Sequence, residues 1–262
     1  MSAGQTASAA GALARRLLDA ERAAAPVEPL TAELPRLDVD GAYAIQRAGR
    51  ALRCAGGARV AGHKIGLTSA AIQRQLGVDE PDYGYLLDAM VLDDGAAIDA
   101  SRLIAPRVEA EIAFILGDAL EGEEVSEEDV LRATASVAPA LEVIDSRIAD
   151  WRITLADTIA DNASSARAVV GEPRALEGLD LARVEMTLAV GDEHVEGRGD
   201  AVLGHPATSV AWLVRALARQ GEGLAAGEVV LSGALARALD VRAGQVAQAR
   251  FPGMGDVSTA FG

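Results

Sequence analysis

Apolar positions along the chain change their spacing near residue 58, and the two patterns imply two kinds of structure. From about Ser8 to Ala25, Leu13, Leu17 and Leu18 fall on one helical stripe, while Arg15, Arg16, Asp19, Glu21 and Arg22 fall elsewhere, as in an amphipathic helix. Pro26 and Pro29 end it, since proline cannot donate to the helical ladder. Asp38 or Asp40 opens a second helix through Gly41, Tyr43, Ile45 and Gln46 to about Arg53, and Gly56 and Gly57 close it. Residues 1–58 thus read as an N-terminal helical arm.

From Arg59 onward, short apolar runs alternate with turn residues. Strands are expected at Val60–Ile65, Val108–Leu116, Ala140–Asp145, Ala168–Val170, Val184–Val190, Val229–Leu231 and Gln245–Arg250. Two helices interrupt them: Ser126–Ser136, opened by the Ser126/Asp129 capping pattern, and His205–Gln220, with Pro206 in its first turn. Strands far apart in sequence, joined by few helices, indicate an α+β fold with a highly twisted or rolled sheet, mixed or antiparallel, rather than a doubly wound one. Residues 59–262 are expected to form that β-rich domain.

Composition narrows the function. Aromatics are 3% of the chain and the formal net charge is −15, so neither a stacking platform nor a basic footprint for nucleic acid is present. No apolar run reaches the roughly 20 residues of a membrane-spanning helix, and the first 25 residues lack a basic region followed by an apolar one, so a cytoplasmic protein is expected. Cys54 is the only cysteine, which excludes an intrachain disulfide and a thiolate metal cluster; it is expected as a small buried apolar side chain. Neither G-x-G-x-x-G after a strand nor G-x-x-x-x-G-K-[ST] occurs, so nucleotide-binding loops have no support.

Lys64 is the only lysine in the chain. Arginine stays protonated at any relevant pH, whereas a desolvated lysine amine can lose and regain its proton, so Lys64 is a candidate acid/base. It stands at the end of a short strand, before a glycine turn. The segment Gly77–Gly84 that follows has the composition of a surface loop able to fold over a cleft, with Asp79 as its candidate.

Along Val108–Leu116 the two-residue period of a strand puts Glu109 and Glu111 on one face with Ala113 and Ile115. Two carboxylates about 7 Å apart on a buried strand face are pushed towards protonation unless a cation sits between them. An edge strand with both acids in water would be the ordinary explanation for that pair alone. Glu142, again an isolated carboxylate in an apolar run, shifts the balance to a shared cation. An all-oxygen donor set suits Mg²⁺ or Mn²⁺ over zinc.

The runs GHKIGLTS, GVDEPDYG, PRVEAEIAF, PALEVIDSRIADWRITLADTIADNASS, GHP and VVLSGAL resemble, in order and over nearly the whole chain, the 2-hydroxypenta-2,4-dienoate (2-oxopent-4-enoate) hydratases of the fumarylacetoacetate hydrolase superfamily. The resemblance implies a hydro-lyase of meta-cleavage aromatic degradation acting on a small 2-oxo or 2-hydroxydienoate acid. It implies Mg²⁺ or Mn²⁺ on Glu109, Glu111 and Glu142, and proton transfer by Lys64 and Asp79. It also implies substrate contacts at Ser164 and Ser232, a homo-oligomer, and a complex with a neighbouring pathway enzyme. Alternatives are a 4-oxalocrotonate decarboxylase, an acylpyruvate-type hydrolase, or a non-catalytic subunit of a degradation complex.

Overall fold

The computed structural model describes residues 3–69, 73, 74, 78 and 80–262. Helices α1 (Ala3–Ala23), α2 (Leu30–Glu33) and α3 (Val39–Ala55) precede the first strand. Asp38 caps α3 by accepting a hydrogen bond from the Gly41 N–H at 2.9 Å, which satisfies one of the donors a helix start leaves free. Ala14 and Leu17 of α1 pack against Ala42 and Ile45 of α3 and against Ile159. Leu30 is fully buried there, an anchor of about 1.5–3 kcal/mol for a side chain of its size. Cys54 is exposed near the end of α3, contrary to the expectation of a buried position, because it falls off the stripe that packs on α1.

The rest is a two-sheet α+β core. The larger sheet runs β2 (Asp82–Leu87), β1 (Val60–Gly66), β10 (Val229–Leu231), β5 (Arg107–Leu116), β6 (Thr134–Ile144), β7 (Ser165–Val170) and β3 (Val91–Asp93), with β11 (Leu239–Asp240) also paired to β5. Its pairings are mixed: β1 with β10 and β3 with β7 are parallel, whereas β1 with β2, β5 with β6 and β6 with β7 are antiparallel. The smaller sheet runs β4 (Ala97–Ile98), β13 (Gly255–Phe261), β12 (Val246–Phe251), β8 (Glu185–Val190) and β9 (Glu193–Arg198). Helices α4 (Glu127–Ala133), α5 (Leu155–Ala160) and α6 (Pro206–Ala218) follow in chain order among the described residues.

The two faces of the larger sheet have different fates. Val108, Ala110, Ile112 and Phe114 of β5 turn into the main core, together with Leu213 and Val214 of α6 and Leu188 and Phe251 of the smaller sheet. The opposite face carries small side chains, Ala113, Ala138, Ala140 and Ala168, around Leu231. Short side chains leave room there for longer functional ones.

Two further expectations are corrected. The helix expected over Ser126–Ser136 ends at Ala133, and residues 134–136 begin β6; Thr134 keeps its hydroxyl on the Val130 carbonyl at 2.7 Å while its backbone turns extended. The loop expected over Gly77–Gly84 becomes strand from Asp82 onward, with all six residues of β2 buried. Pairing with β1 and cover from Asn162 override the loop-like composition, since the Asn162 side chain bonds both the N–H and the carbonyl of Tyr85, at 2.9 and 3.0 Å.

Candidate active site

Register brings the acids together. Glu109 of β5 stands directly opposite Glu142 of β6, and Glu111 lies two residues further along the same face. Each of the three offers one carboxylate oxygen, and these atoms all lie within 4.8 Å of one another. Glu111 and Glu142 are fully buried, while Glu109 keeps part of its surface on a cavity of about 610 Å³. Like charges directly opposite on a sheet repel, so this arrangement opposes folding unless a counter-charge joins it.

The counter-charge on the protein is Lys64. It shares the face because it pairs with Leu231 of β10, which pairs with Ala113 of β5. Its Nζ lies 3.2 Å from Glu142 Oε2, in charge contact but out of line for a hydrogen bond, so both Glu142 oxygens and Glu111 Oε1 have no hydrogen-bond partner. Glu111 Oε2 does have one, the Gly233 N–H at 2.7 Å. Gly233 has φ +114 with Thr68 packed against it, a position with neither the backbone freedom nor the space for a side chain.

One ammonium does not neutralise these acids. Burial, then repulsion from Glu142, pushes Glu109 up to about 7, although Lys64 pulls it down. Glu111 is raised well above the ordinary carboxylate range for the same reasons, and Glu142 is raised by burial against the pull of Lys64. For Lys64 itself burial would lower the amine, but Glu142, Asp82, Glu109 and Glu111 together outweigh it and hold the group above its usual value. Orphaned oxygens on clustered buried acids fit a divalent cation: it would satisfy them and remove the repulsion together.

Asp79 lies outside the described residues. Within that segment, the described acid set near Lys64 is Asp82, three positions further on and expected as part of the loop. Asp82 pairs with Gly66 across β1 and β2, its carboxylate packs where a side chain on Gly66 would stand, and burial raises it to about 6 against the pull of Lys64. The signal was the apolar run Tyr83-Gly84-Tyr85-Leu86-Leu87, which marks a strand beginning at the aspartate.

Ser164 is buried, lines the same cavity and has its Oγ 3.4 Å from Thr158 Oγ1. Ser232 is fully buried one residue before Gly233; its carbonyl accepts from Ser209 Oγ at 2.6 Å and its own hydroxyl has no partner. The cavity wall is built from strained backbone: Leu67, Trp151, Ala163 and Ser164 line it with φ between 50 and 56. Left-handed conformations in residues with side chains cost of order 1–3 kcal/mol each and persist only where surroundings impose them. For Ala163 and Ser164, Arg147 holds the residues on either side. Its Nε and backbone N–H donate to the Asp161 carboxylate at 2.6 and 2.9 Å, and its Nη1 donates to the carbonyls of Asp145 and Ser165 at 2.6 and 3.0 Å.

Residues 62–261 match the fumarylacetoacetate hydrolase C-terminal family. The chain is 47% identical over 250 residues, 95% of its length and 93% of the relative's, to a 2-keto-4-pentenoate hydratase of Paraburkholderia xenovorans (strain LB400). It is 45% identical over 251 residues, 94% of its length and 95% of the relative's, to a 2-hydroxyhexa-2,4-dienoate hydratase of Comamonas testosteroni. Among solved structures, 4-oxalocrotonate decarboxylase from Pseudomonas putida G7, complexed with magnesium and adipate, superposes with a TM-score of 0.94 at 36% identity, covering 100% of this chain and 98% of that one.

Proposed function

The chain belongs to the fumarylacetoacetate hydrolase family, and on that premise we propose that it is a divalent-metal-dependent hydro-lyase that hydrates 2-hydroxypenta-2,4-dienoate to 4-hydroxy-2-oxopentanoate in the meta-cleavage degradation of aromatic compounds. The observation that carries this reading is the convergence of three carboxylate oxygens within 4.8 Å beside the chain's only lysine, with Glu109 and Lys64 lining a cavity of about 610 Å³.

Glu109, Glu111 and Glu142 would hold Mg²⁺ or Mn²⁺, hard cations that oxygen donors suit. When bound, the cation supplies electrophilic stabilisation for negative charge on the substrate's carboxylate and C2 oxygen. Lys64, held as the ammonium by the acids around it, donates the proton that C5 receives, while Asp82 beside it takes the proton from the C2 hydroxyl and returns it to the amine, so the dienol becomes the conjugated 2-oxo-3-enoate with no net change in protons. Water then adds its oxygen at C4 and a proton joins C3, so the product differs from the substrate by one water. Ser164 and Thr158 line the cavity as polar contacts for the bound acid, and Ser232 backs the Gly233 turn that holds Glu111.

Residues 59–262 form the catalytic part in this reading, and the helices of residues 1–58 brace it. The bracing contacts are the Gln46 amide on the carbonyls of Tyr83 and Ile159 at 2.8 and 3.0 Å, and the Thr31 hydroxyl on Asp157 at 2.6 Å. Among the described residues no helix is long and apolar enough to cross a membrane. The proposal includes assembly of several copies in the cytoplasm, as the family resemblance implies.

The test is turnover of 2-hydroxypenta-2,4-dienoate by protein loaded with Mg²⁺, beside 4-oxalocrotonate. The dienoate absorbance is expected to fall without CO₂ release, and Lys64→Met to lower kcat by roughly 10²–10⁴-fold while metal affinity persists. CO₂ release from 4-oxalocrotonate as the faster reaction would transfer the assignment to a decarboxylase. Full turnover by Lys64→Met would remove the lysine from the mechanism.

A further inference from the structure

The face of β5 that carries Glu109 and Glu111 carries one more charged residue, Arg107, two positions before Glu109 and lining the same cavity. A guanidinium is the side chain best shaped to hold a carboxylate in two parallel hydrogen bonds. At this place it would receive the far end of a dicarboxylic substrate whose other end lay on the acid cluster.

That guanidinium is already engaged at its Nε. Asp240 of β11 pairs with Arg107 in register, and Arg107 Nε lies 3.0 Å from Asp240 Oδ1. The guanidinium carbon also sits 4.3 Å from the centroid of the Trp151 ring, a cation–π contact. Trp151 is fixed in turn, because its indole N–H donates to the Ala105 carbonyl at 3.0 Å. Both partners line the cavity, so Asp240 adds negative charge where a tail carboxylate would arrive. Arg237, also on the wall, is exposed and lies 3.7 Å from Glu193. Leu67, Ile144, Ile153 and Leu235 add apolar surface to the cavity, and the volume of about 610 Å³ falls in the range of roughly 300–1,000 Å³ that holds ligands much larger than a five-carbon acid.

We infer that Arg107, held by Asp240 and Trp151, makes this cavity select 2-hydroxydienoates whose far end is uncharged, hydrogen, alkyl or aryl, over those ending in a second carboxylate. The inference rests on the reading that the acid cluster and its cation hold the 2-oxo acid end of the substrate.

Two ligands that share that end and differ in tail charge, 2-oxohexanoate and 2-oxoadipate, test it by calorimetric titration into Mg²⁺-loaded protein. The wild type is expected to bind 2-oxohexanoate the more tightly. Asp240→Asn, which frees the guanidinium, is expected to move the ratio towards 2-oxoadipate by roughly 1.4- to 5-fold, the scale of one exposed ion pair, and Arg107→Met in the same chain to abolish that move. Preference for 2-oxoadipate in the wild type, or a ratio indifferent to Asp240→Asn, would overturn the inference. The expected ratios without turnover of any dienoate would overturn the proposed reaction and leave the tail rule standing. Binding of neither acid would overturn both.

Discussion

Arg147 and Lys64 are both buried cations with carboxylate neighbours, yet their surroundings differ. Neither Arg147 nor Asp161 has a buried side-chain atom without a partner, and the guanidinium also reaches three backbone carbonyls. Around Lys64, both oxygens of Glu142 and one of Glu111 are buried and unpartnered. A closed network of this kind fixes a shape; here it fixes the left-handed turn of Asn162, Ala163 and Ser164 that walls the cavity. An open one is costly by itself and becomes favourable only when something else arrives, which is how binding sites differ from struts.

The contrast can be broken most forcefully by removing one member of each cluster from metal-stripped protein. Arg147→Met leaves Asp161 buried and unpaired and is expected to cost about 3–5 kcal/mol in denaturant unfolding. Glu111→Gln replaces a carboxyl that burial and its neighbours resist ionising, so the same measurement is expected to show no loss beyond about 0.5 kcal/mol, or a gain. Comparable losses from both substitutions would mean that the acid cluster is structural.

A smaller effect appears in pH. Glu109 sits at about 7 in the fold against an ordinary 4.5, and Glu111 is raised as well, so the folded state holds these protons more tightly than the unfolded chain does. The contribution of Glu109 to stability is therefore fully present below about pH 4.5 and is lost as pH rises through about 7. For metal-stripped protein, the stability difference between wild type and Glu109→Gln is expected to turn against the wild type across that window, and millimolar Mg²⁺ to reverse it. A difference that stays flat with pH would show that Glu109 is already neutralised by the protein itself.

Much of this was legible from sequence where a local period carried it. The alternation of β5 placed Glu109 and Glu111 on one face, and the isolation of Glu142 in an apolar run marked it, because burial forces a lone carboxylate to find a cation. Lys64 stood out through the absence of any other lysine. Asp82 was hidden because its strand opens straight after Pro81 in a glycine-rich, acidic stretch, and only pairing with β1 makes that stretch extended. Arg107 with Asp240 could not be read at all: they are 133 positions apart, and only the β5–β11 register joins them. Arg147 reads in sequence as one arginine among many; its role depends on backbone carbonyls that no side-chain pattern reports.

The central claim, that Glu109, Glu111 and Glu142 form one cation site, is tested most directly by titrating Mn²⁺ into metal-stripped protein and counting bound ions. One ion per chain is expected, with affinity in Glu111→Gln and Glu142→Gln falling by more than the roughly 10–100-fold that loss of an outer-shell contact costs. No bound ion, or an ion whose affinity is the same in both variants as in the wild type, would contradict the account.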